Sequence, residues 1–205
     1  MRIRIFPAAL ALLAAAPVAA QTAAPAPPEA AARIDEHMRR LVPFGFSGAV
    51  KLMHEGDVLL DRAYGMADPE KSIATTPETV FNIGSIAKQF TAAAILKLEA
   101  EGKLSVGDPI SRFFPGAPAD KAGLTLDQVL LHTAALPEYM PGRDNQPLER
   151  DAAVQWIMRT PLIGPVGQRF QYSNAGYTLL AAVVEVVSGM PYERFLREKL
   201  FVPAG

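Results

Sequence analysis

A change from strand-like to helix-like patterning constrains the fold of this chain more than any other feature. Residues 46–54 and 58–64 include β-branched and aromatic side chains and flank the turn Glu55-Gly56-Asp57, which predicts a β-hairpin. Helical patterns dominate the rest of the sequence. The expected fold class is therefore mixed α and β (α+β), with the hairpin at the start of an antiparallel sheet. Because an isolated two-stranded ribbon is marginally stable in water, we expect further strands to pair beside it.

The helical patterns are separated by proline and glycine. The first begins at Ala30 and must end at Pro43, because proline cannot continue a helix. The others are predicted at residues 85–101, 124–132, 148–159, 175–188 and 192–201. Gly102 ends the longest of the early helices, and proline-rich breaks at 115–118 and 161–165 divide those that follow.

The N-terminus has the pattern of a secretory signal peptide over residues 1–20. Arg2 and Arg4 precede an apolar run, and Val18-Ala19-Ala20 is a small-residue cleavage site. The apolar run is too short for a transmembrane helix, although an uncleaved membrane anchor is the alternative. Residues 21–29 form an Ala/Pro-rich linker and residues 30–205 the domain. We expect a bacterial periplasmic or secreted protein, with no stable membrane anchor after signal cleavage.

Charge and composition exclude several classes of partner. The net charge is −1 at pH 7, and no basic tract offers a surface to a phosphate backbone, so no nucleic acid partner is expected. The chain has no cysteine, which excludes disulfides and a thiolate nucleophile. The three histidines, His37, His54 and His132, lack metal-ligand spacing, so neither a metal nor a cofactor is expected. For His132 a structural hydrogen bond is the favoured interpretation.

Ser85 and Lys88 are the first candidates for chemistry. A helix turns once in 3.6 residues, so Lys88 lies on the same face as Ser85 and its amine can reach the serine oxygen. A neutral amine there can act as a base. Tyr172 can relay a proton between Ser85 and a leaving group, and Asn174 can bind a substrate amide or hold Lys88.

A serine followed by a lysine three residues later is weak support by itself, since a capping serine and a solvated lysine have the same spacing. Three neighbouring segments make the pattern specific. They are Phe-Asn-Ile-Gly at 81–84, Leu-Leu-His-Thr-Ala-Ala-Leu-Pro at 130–137, and Pro-Val-Gly-Gln-Arg-Phe-Gln at 165–171, which leads into Tyr172-Ser173-Asn174.

In this order and separation the segments resemble the serine β-lactamase and penicillin-binding-protein superfamily. The resemblance runs from about Ile34 to the end of the sequence and is to the branch of class C β-lactamases, D-alanyl-D-alanine carboxypeptidases and esterases. It implies a β-lactamase/transpeptidase-like fold, a helical region beside an antiparallel sheet. It also implies that Ser85 is the acylated nucleophile, Lys88 its base, Tyr172 the proton-transfer partner and Asn174 a substrate-binding amide.

The sequence departs from this superfamily at two places. The third motif, Lys-Thr-Gly or His-x-Gly on a late strand that donates to the oxyanion hole, has no counterpart after Asn174. We therefore expect the C-terminal strands to be missing here and the chain to correspond to the front part of an enzyme. Ala134-Ala135 stands where relatives carry glycine, and if that glycine has positive φ, an alanine in its place is mildly strained. Tyr139, in the following loop, either contacts substrate or belongs to a surface turn.

Three functional hypotheses remain from the sequence. The first is a serine hydrolase that forms an acyl-enzyme on a β-lactam, a D-Ala-D-Ala peptide or an ester carbonyl. The second is a non-catalytic module, or inactive fragment, that binds peptidoglycan or β-lactam. The third is a helical domain with no site. The expected partner is a small-molecule or peptide substrate, and the sequence does not specify an oligomeric state.

Overall fold

The computed structural model describes residues 27–139 and 149–205. The predicted signal peptide and residues 21–26 of the predicted linker lie outside the described residues. The chain divides into two compact units, one ending at Phe81 and one running from Asn82 to Gly205. The first unit contains strands and one helix, and the second is helical, so the predicted mixture of α and β structure is confirmed.

Helix α1, Pro27–Leu41, opens the first unit. It begins three residues before the predicted start at Ala30, so residues 27–29 are helical and not linker as predicted. Prolines are tolerated there because the first turn of a helix has no use for their missing N–H groups. A 3-10 turn, Val42–Phe44, carries the chain past Pro43 and ends at Gly45 in the left-handed region.

The predicted hairpin consists of β1, Gly48–His54, and β2, Asp57–Tyr64, paired antiparallel. Glu55 and Gly56 form its two-residue turn, and both have positive φ, which matches the right-handed twist of the strands. The first strand begins two residues later than predicted. A second, unpredicted ribbon pairs β3, Met66–Asp68, with β4, Ile73–Ala74.

Tyr64 joins α1 to the hairpin. Its hydroxyl donates a 2.7 Å hydrogen bond to Asp35 on α1. Burial, followed by this bond and the nearby Asp35 charge, raises the pKa of Tyr64 to about 12. The phenol therefore stays protonated and keeps its donor through the physiological range.

The helices of the second unit follow the predicted order. Beyond a 3-10 turn at Gly84–Ala87 they are α2 Lys88–Ala100, α3 Ala119–Ala122, α4 Leu126–Leu130, α5 Arg150–Arg159, α6 Asn174–Ser188, α7 Tyr192–Leu196 and α8 Val202–Ala204. A π-helical turn, Arg197–Phe201, joins the last two. The short α3 was not predicted. In the described part of the chain no single helix is long and apolar enough to cross a membrane, and only the bent pair of α6 with residues 192–204 reaches that length and composition.

Helix α6 is the centre of the core of this unit and packs on α2, α4, α5 and α7. Its side chains Leu179, Leu180, Val183 and Val184 are almost fully buried. Fully burying such a side chain stabilises the fold by roughly 1.5–3 kcal/mol, so this helix is a rigid base for the residues at its N-terminus.

Candidate active site

Ser85 lies at the entrance to α2, in the 3-10 turn that follows Gly84. Gly84 has a φ of 51°, a left-handed conformation that glycine adopts without strain. A 3-10 turn has three residues per turn, so the side chains of Ser85 and Lys88 eclipse. The predicted helix from Ser85 is thus correct in place, but its first turn is tighter than an α-helix.

The structure brings together Ser85, Lys88, Tyr172 and Asn174. The Tyr172 hydroxyl donates to Ser85 Oγ at 2.6 Å, and Lys88 Nζ donates to the same oxygen at 3.2 Å. Lys88 Nζ also donates to Asn174 Oδ1 at 2.6 Å. One hydroxyl thus contacts two groups that can exchange protons with it, and the amide fixes the direction of the amine.

The phenol of Tyr172 is the group whose protonation this arrangement alters. Hydrogen bonding with Lys88, then with Ser85, lowers the pKa of Tyr172 below its ordinary value, and the positive charge of Lys88 acts in the same direction. Burial and the charge of Glu138 oppose the shift. The net effect makes Tyr172 a better proton donor than a free tyrosine.

Ser173 anchors the segment that carries Tyr172 and Asn174. It is the N-cap of α6: its Oγ accepts a 2.8 Å hydrogen bond from the Gly176 N–H and donates a 2.6 Å bond to the Pro137 carbonyl. Tyr172 therefore stands immediately before the cap and Asn174 immediately after it. A serine before an apolar helical run is a capping signal that the prediction of a helix from Ala175 did not use.

The loop after α4 runs beside the segment that precedes α6. Its carbonyls accept hydrogen bonds from the other segment at four places, which are Ala135 from Ile163 (2.9 Å), Thr133 from Gly167 (2.8 Å), His132 from Gln171 (2.7 Å) and Glu138 from Asn174 (2.9 Å). The motif at residues 130–137 thus builds the wall on which the Tyr-Ser-Asn segment lies. The motif, which the sequence analysis associated with the site, therefore also contacts it in the structure.

His132 contacts this segment directly. Its Nδ1 accepts a 3.0 Å hydrogen bond from the Ser173 N–H, and its ring stacks on Tyr172 with centroids 4.7 Å apart. The rings of Tyr177 and Phe170 lie 5.0 and 5.4 Å away. Burial, followed by the charge of Lys88, lowers the pKa of His132. The predicted structural hydrogen bond of His132 is confirmed.

Two further sequence predictions concern this loop. Ala135 has a φ of 53°, so the condition under which the sequence predicts mild strain is met at this alanine. Tyr139 is 52% exposed at the end of the described segment, and its contact with substrate stays a prediction. Among the described residues no group of three or more histidine, cysteine, aspartate or glutamate side chains could hold a metal ion.

Comparison with known proteins places this geometry in a family. The profile of the beta-lactamase family matches residues 34–205, and the chain belongs to that family. The chain is 34% identical over 167 residues to a penicillin-binding protein of Bacillus subtilis (strain 168), covering 78% of this chain and 37% of that protein. It is 31% identical over 160 residues to the teichoic acid D-alanine hydrolase of Staphylococcus aureus, covering 78% and 39%.

Solved structures give the same assignment. The crystal structure of FmtA from Staphylococcus aureus superposes with a TM-score of 0.76 at 30% identity, over 84% of this chain and 48% of that one. The predicted β-lactamase/transpeptidase-like fold is therefore confirmed. The chain spans about two fifths of the length of the two curated relatives.

Proposed function

We propose that the protein is a serine hydrolase that works through an acyl-enzyme on Ser85. The observation that carries the proposal is the convergence of Lys88 Nζ and the Tyr172 hydroxyl on Ser85 Oγ, at 3.2 and 2.6 Å. These distances lie within reach of direct proton transfer. Membership of the beta-lactamase family supports the same chemistry.

In the proposed acylation, Ser85 Oγ attacks the substrate carbonyl and its proton passes to Lys88 Nζ, which serves as the base whenever its amine is in the uncharged form. The Oγ–C bond forms, and the bond from the carbonyl carbon to the leaving nitrogen or oxygen breaks. Tyr172 supplies the proton that the leaving group needs, for which its lowered pKa suits it, and regains one from Lys88. Water then hydrolyses the acyl-enzyme, so that one difficult step becomes two easier ones.

Asn174 holds Lys88 in place for this transfer. Its Oδ1 accepts from Nζ at 2.6 Å, which leaves the amine directed at Ser85. The contacts of these four residues, Ser85, Lys88, Tyr172 and Asn174, support their proposed roles. An amide oxygen is neutral, so it orients the amine without fixing a positive charge on it as a carboxylate would.

The substrate class we propose is a β-lactam, a D-Ala-D-Ala peptide or a D-alanyl ester. The names of the relatives support this choice, since one is a penicillin-binding protein and another a teichoic acid D-alanine hydrolase. Both names refer to proteins of the bacterial cell envelope. Together with the signal-like residues 1–20, they support a periplasmic or secreted location.

Pre-steady-state kinetics of the full-length protein test this proposal. The substrates are a chromogenic β-lactam, a D-Ala-D-Ala peptide and a D-alanyl ester, each with Ser85→Ala as control. A burst followed by turnover on at least one substrate, absent in the control, supports the hydrolase. A stoichiometric burst without turnover indicates the binding module instead, and equal rates in the two proteins contradict the assignment of Ser85.

A further inference from the structure

The ring of His132 is a titratable group beside the tetrad that the proposed reaction does not use. It contacts two residues of the triplet Tyr172-Ser173-Asn174: Nδ1 accepts from the backbone of Ser173, and the ring face lies on Tyr172. The neighbouring residue Asn174 holds Lys88. A movement of His132 therefore reaches the two residues that contact Ser85 and Lys88 without His132 touching either the serine or the substrate.

The geometry of the bond fixes the protonation state. Nδ1 can accept the Ser173 N–H only when it carries no proton, so the ring is neutral with its proton on Nε2. Protonation of Nδ1 would set two donors against each other and break the bond. It would also place a second positive charge near Lys88, the cation that already disfavours the charged ring.

We propose that His132 is a positioning residue, whose neutral ring keeps Tyr172 and Asn174 in register with Ser85 and Lys88, and whose protonation in acid releases them. This role of His132 depends on the proposed function only where it predicts a change in the acylation rate. The backbone of His132 contributes too, because its carbonyl accepts from Gln171, one residue before the triplet.

The groups around the His132 ring determine the direction in which its pKa is shifted. The titratable groups that face it are Lys88 on α2 and the phenols of Tyr172 and Tyr177, and Glu138 acts on Tyr172. Burial and Lys88 both lower the pKa of His132 below its ordinary 6.5, so the ring is neutral at neutral pH. The unfolded chain takes up this proton near pH 6.5 and the folded chain only at lower pH. Stability contributed by the neutral ring is therefore present above about pH 6.5 and is lost as the pH falls through the lower, folded value.

Two variants separate the parts of the ring. His132→Asn keeps an acceptor near the position of Nδ1, tolerates the φ of 57° at this residue and cannot titrate. His132→Phe keeps a ring against Tyr172 but leaves the Ser173 N–H without its acceptor. An unsatisfied buried donor predicts an acylation rate about 5- to 150-fold lower for His132→Phe at pH 8, whereas His132→Asn loses only the ring contact and falls about 2- to 10-fold.

The deciding experiment compares acylation rates of wild type and His132→Asn from pH 8 down through the titration midpoint of His132, which nuclear magnetic resonance locates. Ionisations of the tetrad that do not depend on the charge of His132 are common to both proteins and cancel in their ratio. The ratio of wild type to variant is expected to fall at least about fivefold across that midpoint, because only the wild type loses its acceptor. A ratio that stays constant would overturn the proposal, and this result stands even if His132→Phe does not fold.

A spectroscopic readout keeps the inference separate from the proposed function. In nuclear magnetic resonance spectra at pH 8, the His132 ring is expected as the Nε2–H tautomer. The Ser173 amide proton is expected to shift with the titration of His132 in the wild type and not in His132→Asn. An Nδ1–H tautomer of His132, or a Ser173 amide proton whose chemical shift does not change during the titration, would overturn the inference. If Ser85 is not acylated at all, the proposed function fails while these spectra still decide the role of His132.

Discussion

Removing the hydroxyl of Tyr172 distinguishes a proton carrier from a simple hydrogen-bond donor. In Tyr172→Phe the ring contact with His132 at 4.7 Å remains, and the 2.6 Å bond to Ser85 Oγ is lost. If the phenol only held the serine, the loss would be that of one hydrogen bond, about 0.5–1.5 kcal/mol or roughly 2- to 13-fold in rate. If it transfers the proton, the expected loss is about 100- to 10,000-fold.

We expect the larger effect, measured as the acylation rate in stopped flow. Tyr177→Phe is the matched control, because it deletes the same atom from the other tyrosine that contacts His132. Its hydroxyl donates at 3.1 Å to the Leu130 carbonyl and not to the serine, so its acylation rate should stay within about threefold of wild type. A loss below about 15-fold in Tyr172→Phe, with an unchanged thermal midpoint, would refute the proton-transfer role.

Further predictions address the amine, the amide and the fold. Lys88→Arg is expected to acylate nearly as slowly as Lys88→Ala, because a guanidinium cannot give up its proton, and substantial acylation by the arginine variant would move the base to Tyr172. Asn174→Leu removes the acceptor that lies 2.6 Å from Lys88 Nζ and is expected to slow acylation about 10- to 150-fold. An unchanged rate would mean that the hydrogen bond to Asn174 is not needed to position the Lys88 amine. Gly65→Ala places a Cβ 2.4 Å from the Phe46 carbonyl at a φ of +72°. Gly45→Ala also has a positive φ, +93°, but its Cβ lies in open space, so urea denaturation should give a free energy of unfolding about 1–3 kcal/mol lower for the first variant than for the second.

Sequence reasoning could place the tetrad because its signals are local. The spacing from Ser85 to Lys88 determines that the two side chains share one face whether the turn is α or 3-10. Local signals also predict the turn at Glu55-Gly56 and the helix ends at Gly102 and Gly189, because these residues favour particular backbone conformations.

The wall behind the tetrad could not be predicted in the same way. The bonds from Ser173 to His132 and Pro137 join residues 41 and 36 positions apart, and no periodicity in either segment encodes such a pairing. The ribbon of β3 and β4 was missed because its strands are three and two residues long, too short to show alternation. The early start of α1 was missed because Pro27 and Pro28 suggested a linker, although proline suits a first turn.

The most direct test of the account is to map the covalent adduct formed on the full-length protein. After incubation with a β-lactam or a fluorophosphonate, peptide mass spectrometry is expected to find a single adduct on Ser85, which accepts hydrogen bonds from Lys88 and Tyr172. The adduct should be absent in Ser85→Ala, whose thermal midpoint should match wild type because Ser85 is exposed and caps no helix. An adduct on another residue, or undiminished labelling of Ser85→Ala, would contradict the central claim that Ser85 is the nucleophile.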